Sequence, residues 1–431
     1  LPNSFAQQRV LISDDFFRLE SVGTSAFSPD GEYVAFVRRR PKASGDRFAH
    51  DPLGFGRTDI WLAPVGGDRA RNLTKAATEN SGYWSPSWSP DGRRLAMLSA
   101  KDGHIRLMVW ERDSEKLRAV SDLGVDLFPR FIWLSNEELL CPVLPEGMKA
   151  LWMTAEMLSA ETAMKEWPKA SKGREVAVSV LDSRGSRTID GRPEVKLVRF
   201  HQNGGNKTIV SAVDFGPIQL SSDKRFMVVF RQAAVRWPKT DELLPHLNDR
   251  VYQADLFDLQ GQLISSGLGG IEDIRPDSVR WAPNGKELAF IGKRTSAGAP
   301  TVFKYSIVSK SVHPVNSRDL NLIPAWDSTT ELLWSGTNEL VVRAKFKTRL
   351  GQSESTERWD WWAIEKDELA RNLTASMKSS PSQLIAESGG RTFVGLSEGR
   401  LWRITLDGSV PLDLTEKVET RFTSIAWPRL G

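Results

Sequence analysis

The chain has 431 residues, of which 40% are hydrophobic and 26% are charged, a composition typical of globular proteins. Its formal net charge of +4 is too small to predict a nucleic-acid-binding protein. No apolar run approaches the ~18 residues of a membrane-spanning helix, and the single cysteine, Cys141, excludes an intrachain disulfide framework.

The chain begins with a predicted short helix. Ser13 is a favourable N-cap residue, and Asp14 and Asp15 follow in the first turn, where negative charge suits the helix dipole. We expect residues 1–23 to form an N-terminal helical segment. Because the first residue is Leu1 rather than Met, we expect a processed or shortened chain. Signal removal would make it periplasmic or secreted, and the alternative is the cytoplasm.

A phrase that predicts a β-hairpin then occurs three times, at 27–37 (FSPDGEYVAFV), 88–98 (WSPDGRRLAML) and 281–291 (WAPNGKELAFI). An aromatic residue closes one strand, Pro-Asp-Gly or Pro-Asn-Gly forms the turn, and an alternating apolar run forms the next strand. Asp-Gly and Asn-Gly supply residues that tolerate positive φ. Degenerate copies occur at 133–140, 220–230, 334–342 and 384–396.

A second strand-turn-strand pattern alternates with the first and often ends in Leu-Thr. Its copies lie at 59–74, 106–120, 194–210, 251–265, 301–315, 359–374 and 400–415. Seven first halves and seven second halves make seven four-stranded units, and such repetition is the signature of a β-propeller. The sequence therefore predicts an all-β protein with a seven-bladed β-propeller over 24–422. Residues 423–431 would be a closing strand or the start of a linker.

The long insertions occupy one kind of connection. With the blade strands labelled A to D from the propeller axis outward, they join strand B to strand C at about 39–58, 144–193, 231–250 and 344–357. The largest includes a predicted helix at 148–166, which is rich in strong helix formers. All B–C loops of a propeller emerge on one face, and we expect that face to carry function.

Basic residues collect just after strand B in most blades. A positive ring there would attract a carboxylate or an acidic substrate. Ordinary solvated charge is the alternative, because acidic residues such as Asp46, Asp51 and Asp102 lie in the same loops. The candidate substrate-binding residues are Arg38, Arg40, Lys101, Arg231, Arg236, Lys293, Arg294, Arg343 and Lys345, with Arg39 and Lys347 in the same stretches.

The sequence lacks the common motifs of catalytic sites. The chain contains no Gly-x-Ser-x-Gly elbow, no phosphate-binding loop and no dinucleotide fingerprint. Its five histidines show no paired metal-ligand spacing, and Cys141 precedes Pro142 at a predicted strand end, where we expect burial. The sequence therefore predicts no catalytic residue, no metal and no cofactor in this chain.

The segment 11–31 (LISDDFFRLESVGTSAFSPDG) resembles the start of the propeller in serine peptidases of the prolyl oligopeptidase family. In that family a short helix leads into a first Ser-Pro-Asp-Gly hairpin. The later hairpins and the Asn-Leu-Thr strand ends extend the resemblance over nearly the whole chain. Periplasmic Tol-system propellers share the same hairpins.

The resemblance implies an α/β-hydrolase domain beyond Gly431, in cis or as a separate fragment, which carries a Ser-Asp-His triad. It implies that the propeller admits short or unfolded peptides and excludes folded proteins. Acylaminoacyl-, dipeptidyl- and oligopeptidases are candidates, as are isopeptidases that open lasso peptides. The expected partners are a peptide substrate and the hydrolase domain, with no nucleic acid and no membrane span. The alternative is a stand-alone scaffold that binds proteins on one mouth.

Overall fold

The structure is a computed structural model. It describes residues 12–41, 55–67, 69–78, 81–101, 104–126, 131–150, 164–165, 167–169, 171–172, 194–236, 249–295, 298–315, 319–322, 332–336, 338–346, 358–364, 370–387 and 389–422. The chain forms two compact units, and the boundary between them lies between Ser211 and Ala212.

The first unit contains a short helix and three antiparallel four-stranded sheets. The helix is α1 (Ser13–Arg18). Sheet 1 consists of β1 (Ser21–Phe27), β2 (Tyr33–Arg39), β3 (Thr58–Pro64) and β4 (Arg71–Asn72). Sheet 2 consists of β5 (Gly82–Trp88), β6 (Arg94–Lys101), β7 (His104–Glu111) and β8 (Leu117–Ala119). Sheet 3 consists of β9 (Ile132–Trp133), β10 (Glu138–Val143), β11 (Val195–His201) and β12 (Asn206–Ala212).

The second unit contains four antiparallel sheets. Sheet 4 consists of β13 (Phe215–Leu220), β14 (Phe226–Arg236), β15 (Asp249–Asp258) and β16 (Leu263–Ser265). Sheet 5 consists of β17 (Arg280–Trp281), β18 (Glu287–Gly292), β19 (Thr301–Ser306) and β20 (Ser311–Pro314). Sheet 6 consists of β21 (Leu320–Asn321), β22 (Leu332–Trp334), β23 (Leu340–Phe346), β24 (Trp359–Ile364) and β25 (Arg371–Asn372). Sheet 7 consists of β26 (Leu384–Ala386), β27 (Thr392–Ser397), β28 (Arg400–Thr405) and β29 (Leu412–Asp413).

The predicted all-β class is confirmed, with seven sheets that each keep their strands in sequence order from A to D. Number, size and strand order of the sheets are those predicted for the blades of a seven-bladed β-propeller. Sheet 6 has a fifth strand segment because its strand A is divided into β21 and β22, which both pair with β23.

The predicted N-terminal helix is confirmed, but its N-cap is not Ser13. The helix begins at Ser13, and Ile12 occupies the N-cap position. Ile12 has no side-chain acceptor, so the helix uses Asp15 instead, whose Oδ2 accepts the Ile12 N–H at 3.0 Å. One half of a capping box therefore stabilises the first turn.

The helix predicted at 148–166 lies mostly outside the described residues. Met148–Ala150 is not helical, whereas Met164 and Lys165 are. Among the helices of the described ranges, none is long and apolar enough to cross a membrane.

Neighbouring sheets within each unit pack face to face over apolar side chains. One core cluster in the first unit joins residues of sheets 1, 2 and 3. Tryptophans at the end of strand A also connect successive sheets: the Trp88 indole N–H donates to the Ala26 carbonyl at 3.1 Å, and that of Trp133 donates to the Ser87 carbonyl at 3.0 Å. Trp334 repeats this contact in the second unit, with the Arg280 carbonyl at 3.0 Å. Each buried indole thus finds a polar partner in the preceding sheet.

The repeated Ser-Pro-Asp-Gly phrase forms a hydrogen-bonded A–B turn. In sheet 2 the Ser89 hydroxyl donates to Asp91 Oδ1 at 2.6 Å and accepts the Arg94 N–H at 2.9 Å. Ser221 repeats both bonds in sheet 4, to Asp223 at 2.7 Å and from Phe226 at 3.0 Å. The serine side chain therefore closes the turn and orients the aspartate, which explains why both residue types recur.

The residue after this aspartate or asparagine adopts a left-handed conformation. Gly285 has φ of +66° in the Pro-Asn-Gly turn of sheet 5. Lys224 occupies the same position in sheet 4 and has φ of +53°. A side chain with a Cβ atom is strained in this region, so sheet 4 keeps the turn geometry at a cost in stability.

We predict that Lys224→Gly raises the free energy of unfolding by up to about 1 kcal/mol, because glycine removes the left-handed strain. Urea denaturation measures the change. Lys286→Gly is the matched control, since Lys286 follows the left-handed position in sheet 5, and we expect it to lower stability through backbone entropy. Equal effects of the two variants would contradict the strain argument.

Candidate functional site: the B–C edges of the sheets

Seven of the nine candidate cations lie in the last two positions of strand B or directly after it, whereas Arg231 and Arg343, expected after strand B, lie within it because β14 and β23 extend to Arg236 and Phe346. The nine belong to sheets 1 and 2 of the first unit and to sheets 4, 5 and 6 of the second. For Lys101 and Arg236 the structure describes the backbone only: Lys101 pairs with His104, and Arg236 pairs with Asp249. The remaining seven have described side chains, and these fall into two groups.

In the first group, a cation neutralises a buried aspartate of strand C. Arg40 Nε lies 3.1 Å from Asp59 Oδ2, and the Asp59 side chain is 2% exposed. Arg231 Nε donates to Asp255 Oδ2 at 2.5 Å, and Asp255 is fully buried. A buried carboxylate is stable only when it is paired and hydrogen-bonded, so these two arginines have a structural role. Their role in substrate binding stays a prediction.

Other donors complete the coordination of these aspartates. The backbone N–H of Ala76 donates to Asp59 Oδ1 at 2.6 Å. The Ser266 hydroxyl and the Gly267 N–H donate to Asp255 Oδ1 at 3.1 and 3.2 Å. These partners come from the segment after strand D, so the aspartate fastens that segment to strand C.

Sheet 6 builds the same network from a different arginine. Phe346 stands at the position of Arg40 in sheet 1, and Arg358, directly before strand C, pairs with Asp360 instead. The Thr374 hydroxyl donates to Asp360 Oδ1 at 2.7 Å and accepts the Trp361 N–H at 3.1 Å. Thr374 is the threonine of an Asn-Leu-Thr strand end, and Thr74 makes the corresponding contact with the Ile60 N–H at 3.1 Å.

Sheet 7 carries a related contact with its carboxylate on strand D, at the position of Asn372 in sheet 6, instead of on strand C. Arg400 replaces the aspartate of strand C, and its guanidinium lies 3.5 Å from Asp413 at the strand D position. The Thr415 hydroxyl donates to Asp413 at 2.9 Å and accepts the Leu401 N–H at 3.1 Å. The contact of the threonine hydroxyl with a carboxylate and a strand C N–H is thus kept when the carboxylate moves from strand C to strand D.

In the second group, cations lie over aromatic rings or form partly exposed ion pairs. Arg38 lies 4.5 Å over the Trp61 ring and pairs with Glu20. Lys293 Nζ lies 3.4 Å from Asp273 Oδ2, and Arg294 lies 5.5 Å over the Phe303 ring.

The strongest concentration of cations and aromatic rings lies at the B–C edge of sheet 6. Arg343 and Lys345 both approach the Trp359 ring, at 5.4 and 5.5 Å. Phe346 is half exposed and stacks on Trp362 with ring centroids 5.4 Å apart. Phe346 lies on the opposite face of β23 from Arg343 and Lys345, so this edge carries positive charge on one face and an exposed aromatic ring on the other. Such an edge can bind a carboxylate and an apolar side chain on its two faces.

Cys141 lies in strand B of sheet 3 and is buried, as expected from the sequence. Burial raises the pKa of its thiol well above the usual range. The thiol is therefore protonated at neutral pH and is not a nucleophile. Within the described ranges, no group of three His, Cys, Asp or Glu residues is arranged to hold a metal ion.

Sequence reasoning missed the buried aspartates, although a signal was present. Three copies of the second pattern contain aspartate, an apolar residue and an aromatic residue in succession: DIW at 59–61, DLF at 255–257 and DWW at 360–362. A charged residue that recurs inside an apolar strand pattern indicates a buried, paired charge.

No family model matches the chain, and no curated protein does. Among solved structures, one from an analysis of two prolyl endopeptidases is similar, with 12% identity, a TM-score of 0.49 and coverage of 93% of this chain and 49% of that chain. An oligogalacturonate lyase in complex with manganese has 12% identity, a TM-score of 0.41 and coverage of 89% and 88%. The β-propeller domain of the trilobed protease from Pyrococcus furiosus has 11% identity, a TM-score of 0.41 and coverage of 95% and 100%.

Prolyl endopeptidases and a protease propeller domain are thus among the structures that this chain is similar to, as the sequence resemblance predicts. The chain spans about half the length of the endopeptidase chain. At identities of 11–12% the similarity concerns the fold alone.

We predict that Arg231→Ala lowers the free energy of unfolding by about 3 kcal/mol, because it leaves the buried Asp255 carboxylate without its cation. Arg225→Ala is the control, since Arg225 forms an ion pair with Asp223 while its own side chain is 62% exposed. We expect the control to lose less than about 1 kcal/mol. Denaturant unfolding of both variants measures the difference. A loss of the same size in both would contradict a structural role for Arg231.

Proposed function

We propose that the chain is the substrate-gating propeller of a serine peptidase or isopeptidase, which admits short or constrained peptides to a hydrolase domain supplied in cis or as a separate fragment. The observation that carries this proposal is the position of the cations and of the long connections. Four strand-B-to-strand-C connections are long, between β2 and β3, β10 and β11, β14 and β15, and β23 and β24. Most of the candidate cations lie at the strand B ends from which strand-B-to-strand-C connections begin, and Arg231 and Arg343 lie within strand B.

The charge at these edges supports recognition of an extended acidic peptide. Arg343 and Lys345 place two cations beside Trp359, where a carboxylate would gain charge attraction, and an apolar side chain of a peptide that crosses the sheet edge would pack on Phe346 at the other face. A folded protein presents fewer free backbone groups and less flexible charge than a short peptide. Selection by size would follow if the B–C segments restrict access to these edges.

The N-terminal features support the peptidase family over other propeller families. The helix α1 leads directly into β1 and the first Ser-Pro-Asp-Gly turn, as the sequence resemblance implies. A stand-alone scaffold of the Tol-system type is the second candidate, and its hairpins share this phrase. The two candidates differ in what they bind: short peptides in the first case, and folded proteins in the second.

Fluorescence anisotropy of the purified chain tests the proposal. The ligands are a labelled acidic peptide of about ten residues, its Gln/Asn counterpart, and a folded acidic protein. We expect the acidic peptide to bind most tightly, with an affinity that falls as salt rises. Arg343→Gln with Lys345→Gln should weaken its binding by about fivefold to tenfold.

Lys286→Gln with Lys310→Gln is the matched control, because these two lysines lie at the A–B and C–D turns of sheet 5, the opposite ends of the strands. We expect the control to bind the peptide as the native chain does. Equal losses in both double variants would contradict a specific edge site. Preference for the folded protein over the peptide would favour the scaffold. Sequencing the gene beyond the codon for Gly431 is an independent test, in which a Gly-x-Ser-x-Gly elbow followed by Asp and His identifies the catalytic domain.

A further inference from the structure

Two arginines reach the packing interface between sheets 1 and 2 from opposite sides. Arg39 is the last residue of β2 and shares a face of the strand with Ala35 and Val37. Both of these residues are buried in the core cluster that joins the two sheets. Arg39 therefore lies on the face of sheet 1 that looks toward sheet 2, at the B–C edge.

Arg106 reaches the same interface from sheet 2. It lies in β7 on the same face as Met108 and Trp110. Arg71 of sheet 1 approaches the Trp110 ring at 5.8 Å, so this face looks toward sheet 1. Arg106 is opposite Ser99 in the register of β6 and β7, two residues from the B–C edge.

The donors at this interface are buried without partners. The Nε atoms of Arg39 and Arg106 are inaccessible to solvent, and neither has a hydrogen-bond acceptor within the described part of the chain. The Ser81 hydroxyl is also buried and has no partner there, and Ser81 is fully buried. Its location is fixed by Arg40, whose Nη2 donates to the Ser81 carbonyl at 3.1 Å. An unsatisfied buried donor costs about 1–3 kcal/mol, so three at one interface require an explanation.

The repeat pattern shows what differs at this position. Leu73 N–H bonds to the Ile60 carbonyl in sheet 1, and Val120 N–H bonds to the Leu107 carbonyl in sheet 2, so Ile60 and Leu107 are equivalent. Arg106 therefore stands where sheet 1 has Asp59. In the described residues, the aspartate that neutralises strand B cations in sheets 1 and 4 has no counterpart in strand C of sheet 2. Sheet 2 instead adds a cation to an interface that already contains Arg39.

We propose that Arg39, Arg106 and Ser81 form a carboxylate-binding site between sheets 1 and 2. This inference rests on the proposed function, and it names the group that the site would take: the carboxylate of an acidic side chain or of a peptide C-terminus. Two guanidinium groups and a hydroxyl supply charge-assisted donors in number and kind suited to a planar carboxylate. The bound anion would satisfy the donors and neutralise the two charges at once.

Thermal unfolding of the purified chain in sodium acetate, against sodium chloride at equal ionic strength, tests the site without any peptide. We expect acetate to raise the Tm, because a ligand that binds the folded state alone stabilises it. Arg39→Gln with Arg106→Gln should abolish this shift while keeping the Tm in chloride at or above the native value, since it removes two buried Nε donors that have no acceptor in the described part of the chain. Arg93→Gln, at the A–B turn of sheet 2, is the control and should keep the acetate shift.

Anisotropy with peptides distinguishes the source of the carboxylate. Two modified peptides are compared with the acidic peptide: one has its acidic side chains replaced by amides, and the other has an amidated C-terminus. We expect only one of the two modifications to weaken binding, by about tenfold, and that one identifies the carboxylate that the site binds. In the double variant, the modified and unmodified peptides should bind equally. An acetate shift without peptide binding would sustain the site and contradict the proposed function. Peptide binding without an acetate shift, unchanged in the double variant, would overturn the site and leave the function standing. The double variant Asp46→Asn with Asp51→Asn is measured as well. If acetate raises the Tm of this variant but not that of the native chain, the proposal is overturned, because the chain's own carboxylates then fill the site.

Discussion

The buried ion pair between a strand C aspartate and an arginine is the interaction on which sheets 1, 4 and 6 depend. Asp59, Asp255 and Asp360 are removed from solvent, and each is stable only because a guanidinium and several hydrogen-bond donors surround it. The donors come from the segment that leaves strand D. One carboxylate therefore ties together strand C, the end of strand D and an arginine beside it. Strands D of two or three residues form few backbone hydrogen bonds with strand C, so the buried carboxylate adds contacts that hold the end of strand D in place.

The sequence was sufficient to predict the class, the number of sheets and their strand order, because each sheet repeats its own local chemistry. Ser-Pro-Asp-Gly closes its turn through bonds among neighbouring residues, as Ser89 does with Asp91 and Arg94. Such local bonds require particular residue types at a fixed spacing, which can be recognised in the sequence. The division of strand A in sheet 6 left no such trace, since β21 and β22 are joined only through their shared pairing with β23.

The site was harder to predict, because the function of a cation depends on what faces it across the sheet. Arg38 and Arg40 are two residues apart and look equivalent in the sequence. In the structure Arg38 covers the Trp61 ring, while Arg40 neutralises a carboxylate that is hidden from solvent. The sequence indicated where positive charge collects. Whether a given cation neutralises a buried carboxylate depends on its neighbours across strands B and C, which only the structure shows. Arg106 illustrates the same limit, since its importance follows only from its equivalence to an aspartate in sheet 1.

The position of the carboxylate on strand D of sheet 7 has a consequence for how a chain of similar repeats folds. Repeated units of like sequence can associate out of order during folding, because each offers its neighbours nearly the same apolar faces. In sheet 7 Arg400 stands at the strand C position of Asp360 in sheet 6, and Asp413 stands at the strand D position of Asn372. A strand C from sheet 6 paired with the strand D end of sheet 7 would bring Asp360 against Asp413, two carboxylates in a site that accommodates one. Misassembled pairings of this kind are penalised by repulsion and desolvation, so the position of the carboxylate distinguishes the last sheet from its neighbour.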